Sequence, residues 1–505
     1  MKNKILITLG AAAVSLTAVS CSDFLKENPK TFLSPDTYFT NEAQMQAAVD
    51  GLYTFLDNIF DGDVEVGTQR FIFLEYMTGY GERKRSAGGI YTVDQPNMLT
   101  ITEENNAVEA LWSTAYTAIE NCNVAISGME SSSADVAAET KNNLLGQAYF
   151  MRAYHYFNLV RLWGDVPLKT TPTVDMSNTA IPLTSVQGVY DQIVKDLTHA
   201  AELMDGTSWT SSDGHVALAA VKALLAKVYI TMAGYPLQLG KDYYDLAYNT
   251  AKDIYDNAGI SLYESYEAMR TAGFACGGEN ILTIEREATN ASSPVHSALL
   301  PYPELANISQ NSAYGGAIAP TLAFYNSYDD ADLRKADFGY YTMTYNALDG
   351  NGTVASDAPY IYKYWDQSAA NNAGKSAMGY PLIRYADVLL LLAEAKVMSD
   401  GGSTADQTAI DAYYLVRHRA MPDEERPTEL DFDTVYKERI WELCFETQTW
   451  FDLQRTRKAL NPITGDVVNL IGYQTPGHGN PFEEEDLLFP YPLRDRRLNP
   501  NLVRK

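Results

Sequence analysis

The stretch Gln147–Leu168, QAYFMRAYHYFNLVRLWGDVPL, decides the fold of this chain. Its apolar and aromatic residues recur at steps of three and four, which places them around most of the circumference of one helix. Such a helix must be surrounded by other elements. Gly164 stands where a left-handed C-terminal residue is favoured, and Pro167 cannot continue a helix. The pattern therefore predicts a buried helix that ends near Trp163.

Two arginines, Arg152 and Arg161, lie within this apolar run. Because burial of an unpaired guanidinium is costly, we expect each to meet a carboxylate from elsewhere in the chain. Near the C-terminus three carboxylates are spaced four residues apart, at Glu438, Glu442 and Glu446. Like charges at this spacing repel unless cations face them. We interpret the column as a structural ion-pair network with arginines such as Arg152 and Arg384.

The helical patterns come in pairs separated by Gly, Pro and Asp. The predicted helices cover Asn105–Met129, Thr140–Trp163, Ser185–Met204, His215–Met232, Asp242–Asn257, Arg384–Ser399, Thr404–Ala420 and Phe432–Ala459. Helical hairpins of this kind are typical of tetratricopeptide-type stacking, although the spacing here is irregular. The sequence thus predicts a mainly α fold: tetratricopeptide-like helical hairpins forming a scaffold, with long irregular loops and little β structure.

Three segments resemble a known family: Gln147–Leu168, Ile383–Ala395 (IRYADVLLLLAEA) and Lys437–Arg455 (KERIWELCFETQTWFDLQR). They are similar to the recurring motifs of the SusD/RagB family of outer-membrane nutrient-binding lipoproteins. The opening Asp23–Pro29 (DFLKENP) and the closing Phe489–Leu502 (FPYPLRDRRLNPNL) fit the same family. The third segment departs from the pattern, since Thr447 and Thr449 stand where the family usually has Gly and Arg. The resemblance implies a helical-hairpin scaffold without a cofactor.

The N-terminus has the composition of a bacterial lipoprotein signal. Lys2 and Lys4 precede an apolar stretch, and small residues lead to Cys21. We predict that residues 1–20 are a signal peptide and that Cys21 is lipidated; an ordinary secreted protein that begins with Cys is the alternative. Residues 21–505 would then form a single domain, anchored to the outer membrane by lipid and facing the cell exterior.

Charge and motifs exclude several functions. The formal net charge of −26 argues against a nucleic-acid partner, because phosphate binding needs a cationic face. The chain has neither an HExxH nor a GxSxG motif, and its four cysteines lack zinc-site spacing. Asp61, Asp63 and Glu65 alternate like a calcium loop, but Val66 replaces the glycine of its turn, so a solvated acidic turn is favoured. We predict no metal site and no catalytic residue.

Long stretches between the helices, about 61–102, 259–325 and 338–380, are rich in Tyr, Phe, Asn and Gly. Disordered segments are poor in aromatic residues, so these loops are predicted to bind a ligand. An aromatic ring can cover the C–H face of a sugar while polar groups bond its hydroxyls. The candidate ligand-binding residues are Tyr76, Tyr80, Arg83, Tyr91, Tyr302, Tyr314, Trp365 and Asp366. Trp365 is expected to be exposed, whereas most tyrosines could instead fix the loops onto the helices.

Two classes of function remain. The family resemblance implies a non-catalytic surface protein that captures oligosaccharides and delivers them to a TonB-dependent outer-membrane transporter, which would be its partner. An oligopeptide-binding member of the same family is the nearer alternative. The alternative of a different class is a lipid-anchored glycan hydrolase, which requires a pair of carboxylates across one cleft. The Glu438 column does not meet that requirement, because its members lie on one helix.

Overall fold

The computed structural model describes residues 38–60, 70–84, 91–174, 180–301, 308–310, 316–372 and 375–504. The predicted signal peptide, the lipidation site Cys21 and the acidic turn at Asp61 lie outside these residues. In the described chain the helices are α1 Glu42–Phe60, α2 Arg70–Tyr76, α3 Tyr91–Met98, α4 Asn106–Ser131, α5 Ala138–Trp163, α6 Val186–Leu203, α7 Leu218–Ala233, α8 Lys241–Asn257, α9 Tyr266–Thr271, α10 Val295–Ala298, α11 Leu322–Asn326, α12 Gln367–Asn371, α13 Tyr385–Ser399, α14 Gln407–Ala420, α15 Phe432–Leu443, α16 Thr449–Thr456 and α17 Leu493–Leu498.

The strands are short and pair two by two, always antiparallel. They are β1 Gly81–Glu82, β2 Val166–Pro167, β3 Leu183–Thr184, β4 Asn280–Ile284, β5 Ala319–Pro320, β6 Tyr341–Asn346, β7 Thr353–Ile361, β8 Tyr380–Arg384, β9 Ser403–Thr404, β10 Leu430–Asp431, β11 Lys458–Leu460 and β12 Val467–Asn469. The pairs are β1–β5, β2–β3, β4–β8, β6–β7, β9–β10 and β11–β12. The prediction of a mainly α fold with little β structure is confirmed.

Helix α5 occupies the centre of the predicted scaffold. It packs against α1, α4 and α6, and α6 in turn packs against α7, α7 against α8, and α8 against α13. Helix α5 ends at Trp163 as predicted, and Gly164 follows with a φ of 76°. The start of α4 is fixed by Asn105, whose Oδ1 accepts hydrogen bonds from the amides of Ala107 and Val108 at 3.0 and 3.3 Å. The helical hairpins therefore follow the order that the sequence predicts.

The C-terminal tail closes over the end of α5. The amide of Phe489 donates to the carbonyl of Leu162 at 2.7 Å, and the indole N–H of Trp163 donates to the carbonyl of Pro490 at 2.9 Å. The ring of Tyr491 lies 5.7 Å from that of Trp112 on α4. One cluster of buried apolar residues consequently extends from Phe39 near the start of the described chain to Leu502 near its end.

The predicted helix Phe432–Ala459 is wrong, because the chain leaves helical geometry between α15 and α16. Phe445 and Thr447 have φ values of 61° and 60°, which no α-helix accommodates. The carbonyls of Glu442 and Cys444 turn toward the buried ammonium of Lys363, which donates to them at 3.0 and 3.1 Å. A cation from a distant segment thus replaces the lost helical hydrogen bonds.

The predicted irregular stretches are only partly irregular. Residues 61–102 contain α2, β1 and α3, and residues 259–325 contain α9, β4, α10, β5 and α11. Residues 338–380 contain the β6–β7 hairpin and α12. Strand β6 (YTMTYN) is rich in Tyr and Thr, strand β7 begins with Thr-Val and ends with Tyr-Ile, and the sequence DGNG at 349–352 lies between them. Strand-favouring residues around a glycine-containing turn were the available signal for this hairpin.

The partners of the two arginines of α5 differ from the prediction. Arg152 donates to Asp196 of α6 through Nε and Nη2 at 2.8 and 2.7 Å, and not to the Glu438 column. Arg161 has no carboxylate partner among the described residues; its guanidinium lies between the rings of Phe157 and Phe451, 3.8 and 3.5 Å from their centroids. Aromatic faces therefore replace the expected ion pair at this position.

Candidate functional site

The Glu438 column lies in a buried network of ion pairs. We call it the central ion network; it consists of Glu279, Asp332, Arg334, Lys363, Arg384, Arg419, Glu438, Glu442 and Glu446. Arg384 reaches Glu446 at 2.7 Å and Glu442 at 3.1 Å, which confirms the predicted partner. Arg334 reaches Glu438 at 2.7 Å. The carboxylates of the column are saturated with cations, so they hold the scaffold together rather than face a cleft.

Charge pairing decides the protonation of this network. Burial alone would raise the pKa of Glu442, but Arg419, Arg384 and Arg334 hold it well below its usual range. The neighbouring Glu75 behaves in the opposite way: burial raises its pKa to about 8, and the amide of Thr447, which donates to it at 2.5 Å, offsets only part of that shift. Glu75 is therefore mostly neutral at pH 7, whereas the lowered pKa of Glu442 keeps that carboxylate ionised.

Two of the candidate ligand residues, Tyr76 and Tyr80, are core residues. Tyr76 is fully buried, and its hydroxyl donates to the carbonyl of Ala317. Tyr80 stacks on Phe324 with ring centroids 4.8 Å apart, and its hydroxyl bonds both the amide and the carbonyl of Leu460 at 2.8 and 2.9 Å. These tyrosines tie loops to the scaffold, so the expectation that they face a ligand is wrong.

Arg83 lies nearer the surface than these tyrosines. Its Nη2 contacts Asp94 of α3 at 2.8 Å, and its side chain is 18% exposed to solvent. The adjacent Lys84 amide donates to the carbonyl of Gly316, which continues the β1–β5 pairing. The side chain of Tyr91, and Tyr302 and Tyr314 entirely, lie outside the described residues. Arg83 thus stays a candidate at the edge of a region that the structure describes only in part.

Trp365 is buried, whereas Asp366 is partly exposed. Trp365 is 7% exposed, so the expectation of an exposed platform is wrong for this ring. Asp366 caps α12 by accepting from the amide of Ala369 at 3.0 Å, and it accepts from the hydroxyl of Ser376 at 2.7 Å. Its own amide donates to Nδ1 of His296 at 3.2 Å. Trp365 therefore supports the loops from within, and Asp366 orders them and stays a candidate ligand-binding residue.

Trp365 belongs to a run of aromatic rings that does reach solvent. We call it the aromatic ladder; its members are His296, Phe338, Tyr345, Tyr362 and Trp365. Tyr362 stacks on Trp365 with centroids 5.5 Å apart and planes inclined by 14°. Phe338 meets Tyr362 edge-on at 5.4 Å and is 37% exposed. The ladder therefore presents one large aromatic ring at the protein surface, supported by buried rings.

The backbone around Phe338 holds this ring in place. Phe338 has a φ of 67°, which bulky residues rarely adopt, so the surrounding structure must impose it. The next residue must be glycine, since a Cβ on Gly339 would lie 2.2 Å from the carbonyl oxygen of Leu333. The amide of Gly339 donates to the carbonyl of Ala336 at 2.8 Å. Phe338 is thus displayed on a fixed turn.

A cation lies over Tyr362, the ring that supports Phe338. The guanidinium of Arg270 is 4.5 Å from the centroid of Tyr362, and its Nη1 donates to the carbonyl of Gly339 at 3.1 Å. No carboxylate of the described residues forms an ion pair with Arg270. An exposed ring beside N–H donors can stack on an apolar face and bond to hydroxyl groups. Phe338, Tyr362 and Arg270 were not predicted from the sequence; the Phe-Gly pair within an aromatic loop was the available signal.

Comparisons with known proteins agree over most of the chain. The family profile described as "Starch-binding associating with outer membrane" matches residues 23–230, and that of the SusD family matches residues 323–505. SusD-like protein P2 of Formosa agariphila is 28% identical over 486 residues, which cover 88% of this chain and 89% of that protein.

Solved structures share the fold. A SusD superfamily protein from Parabacteroides distasonis superposes with a TM-score of 0.83 at 30% identity, covering 91% of this chain and 98% of that one. A second structure, solved with a xylogluco-oligosaccharide, has a TM-score of 0.73 at 20% identity and covers 91% and 98% of the two chains. With its three sequence motifs, its helical-hairpin scaffold and these matches, the chain belongs to the SusD/RagB family.

Proposed function

We propose that this protein is a glycan-binding lipoprotein of the outer-membrane surface that captures oligosaccharides and delivers them to a TonB-dependent transporter. The observation that carries the proposal is the aromatic ladder, which ends in Phe338 at the surface, with Arg270 over the neighbouring Tyr362 and bonded to the carbonyl of Gly339. The family profile is described as starch-binding, and one structural neighbour was solved with a xylogluco-oligosaccharide. Both agree with a ligand that combines apolar C–H faces with hydroxyl groups.

The binding step needs no chemical reaction. Phe338 would stack on a sugar ring, and Arg270 would donate hydrogen bonds to its hydroxyls. Since the turn already fixes Phe338, little side-chain freedom would be lost on binding. The carboxylates of the central ion network are buried and paired, which supports a binding protein over the glycan hydrolase considered from the sequence.

The test is calorimetric titration of the protein with neutral plant, fungal and algal oligosaccharides and with peptides. Phe338→Ala should weaken binding of the recognised glycan about tenfold, the size expected for one lost aromatic contact. Tyr235→Ala is the matched control, because Tyr235 is 38% exposed but lies beside Arg457, outside the ladder. Equal affinities for wild type and Phe338→Ala would contradict the site. Binding of peptides alone would identify the oligopeptide-binding alternative, and release of new reducing ends would identify a hydrolase.

The lipid anchor and the transporter need separate measurements. Mass spectrometry of membrane-extracted protein should show acyl chains on Cys21; an unmodified N-terminus would contradict the anchor. Among the described residues no helix has the length and hydropathy of a membrane span. Delivery to a transporter predicts a stable complex between the two proteins. Purification of the tagged protein from outer membranes in mild detergent should recover a large β-barrel in near-equal amount. Recovery of the protein alone would contradict delivery to a transporter.

A further inference from the structure

A second group of buried charges lies next to the central ion network. We call it the second ion cluster; it consists of Lys227, Asp387, Glu394, Arg439, Asp452 and Arg455. Lys227 contacts Asp387 at 2.5 Å, and Arg439 contacts both Asp387 and Asp452 at 3.0 Å. Three cations face three carboxylates here, so the cluster is neutral by itself.

Arg161 lies near the neutral second ion cluster and carries one further positive charge. Its Nε donates to the carbonyl of Phe157 at 3.1 Å and its Nη2 to the Oδ1 of Asn158 at 2.6 Å. No carboxylate in the described ranges comes within 4 Å of it, although Asp387 and Asp452 lie close enough to interact at longer range. A largely buried cation without a counter-ion is costly, even with aromatic rings on both faces.

A small cavity adjoins this uncompensated charge. Its volume is about 40 Å³, and its polar walls include Arg161, Lys227, Asn158 and Gln448, among leucine and phenylalanine side chains. One water needs roughly 10–15 Å³ of such space, so the cavity has room for a small ion. The Nδ2 of Asn158 is buried and makes no hydrogen bond of good geometry, although the hydroxyl of Tyr154 lies close enough to interact with it. The cavity thus combines two cations with a buried N–H donor.

We propose that this cavity binds one small monovalent anion of the size of chloride, held by Arg161, Lys227 and the Nδ2 of Asn158. The anion would supply the counter-charge that Arg161 lacks and would accept a hydrogen bond from the side-chain amide of Asn158. The apolar walls and the small volume exclude phosphate, sulfate and organic acids. Burial lowers the pKa of Arg161 to about 10 and also lowers that of Lys227, and a bound anion would oppose both shifts.

The anion would join three parts of the scaffold. Arg161 belongs to α5, Lys227 to α7, and Gln448 precedes α16 and accepts from the ammonium of Lys227 at 2.7 Å. Because an anion bound only to the folded state stabilises that state by mass action, the unfolding equilibrium should depend on its concentration. Far above the dissociation constant, each tenfold rise in chloride should lower the unfolding constant about tenfold.

The experiment measures urea unfolding of the full mature protein at constant ionic strength, with chloride replaced stepwise by gluconate. Wild type should become more stable as chloride rises, whereas Arg161→Met and Lys227→Met should lose this dependence. Lys241→Met is the control, since the Lys241 side chain is 64% exposed and contacts Asp245 and Ser399, far in sequence from Arg161; it should keep the dependence. Identical stability in chloride and gluconate for wild type would overturn the proposal.

Crystals soaked in bromide provide a second measurement that does not require the variants to fold. An anomalous peak within hydrogen-bond distance of Arg161 and Lys227 is the expected result. Density for ordered water only, without an anomalous signal, would overturn the site. A chloride dependence that persists in both Arg161→Met and Lys227→Met would place the anion elsewhere and would also overturn it. None of these outcomes depends on glycan binding.

Discussion

The central ion network and the aromatic ladder both join distant parts of the chain, but they differ in their exposure to solvent. Arg384 and Glu442 in the network are almost fully buried. The ladder instead runs from His296, which is 2% exposed, to Phe338, which is 37% exposed. Interior charges must be matched within the protein, whereas the last ring of the ladder needs no protein partner. The network therefore constrains the scaffold, and the ladder leaves one end free for a ligand.

The largest expected effect comes from breaking the network. Arg384→Met would leave Glu279, Glu442 and Glu446 buried beside one another without their shared cation. Loss of one partner of a buried ion pair costs about 3–5 kcal/mol, so this variant should lose at least that much stability or fail to fold. Urea unfolding measures the change. The exposed Lys241→Met should change stability by about 0.5 kcal/mol or less, and a similar loss in both variants would contradict the comparison.

The inner end of the ladder should behave like the core. Trp365→Ala should destabilise the protein by about 3–5 kcal/mol, because the ring is packed between Tyr345, Tyr362 and His296. Phe338→Ala should cost about 1 kcal/mol or less, since its ring is partly in water and its backbone strain would remain. Thermal unfolding of both variants checks this gradient. A stable Trp365→Ala protein that lost only glycan affinity would show that the ladder is open at both ends.

The pH dependence of stability should separate Glu75 from the paired carboxylates. Burial raises the pKa of Glu75 to about 8, so between its unfolded value near 4.5 and pH 8 the folded state keeps a proton that the unfolded state releases. The contribution of Glu75 therefore becomes less favourable as pH rises through this window. Glu75→Gln should be more stable than wild type by a few kcal/mol at pH 8 and by little at pH 5. Parallel pH–stability curves from urea titrations would contradict this assignment.

The paired carboxylates should show the opposite sign. The arginines around Glu442 hold its pKa below the usual range, so its stabilising contribution is present above pH 4.5 and is lost as pH falls through its folded pKa. Glu442→Gln should accordingly lose most stability at neutral pH and less in acid. The stability difference from wild type should therefore change with pH in opposite directions for Glu75→Gln and Glu442→Gln. Urea titrations at several pH values would show this even if both variants had a different absolute stability from wild type.

The smallest effect concerns backbone strain beside the network. Thr447 is β-branched and has a φ of 60°, a conformation that glycine adopts without strain. Relief of this strain in Thr447→Gly should stabilise the protein by about 1 kcal/mol. The net gain is smaller, because the variant also loses the hydrogen bond that the Thr447 hydroxyl donates to the carbonyl of Glu446 at 2.6 Å. Phe445→Gly is the contrast, because Phe445 has a similar φ of 61° but a buried ring, and its loss should destabilise. Urea unfolding distinguishes the two variants.

The sequence correctly predicted those features that depend on residues close together in the chain. The periodicity of Gln147–Leu168 and its Gly164 signal predicted a buried helix with the correct end, and the spacing of the glutamate column predicted ion pairing with Arg384. The family motifs, which lie in the same helices, predicted the hairpin fold. These features depend on residues a few positions apart or on segments that recur as motifs.

Features that depend on contacts between distant segments were not predicted from the sequence. The helix predicted over Phe432–Ala459 breaks because Lys363 arrives from another segment and binds its carbonyls. Trp365 is buried because Tyr345 of β6 and His296 of α10 pack against it. The aromatic composition of the loops indicated candidate ligand-binding rings, but it did not show which ring reaches solvent. Burial of each tyrosine depends on its neighbours in space, which spacing alone does not reveal.

The contact between the C-terminal tail and α5 has a consequence for the order of folding. Trp163 bonds Pro490 across 327 residues of chain, so the helix that lies at the centre of the scaffold is covered only when the last part of the protein is available. Contacts of such long sequence separation form slowly, and incomplete chains expose apolar surface. A nascent chain that ends before Phe489 would leave Trp163 and Trp112 uncovered. Completion of the chain is thus a condition for closing the core.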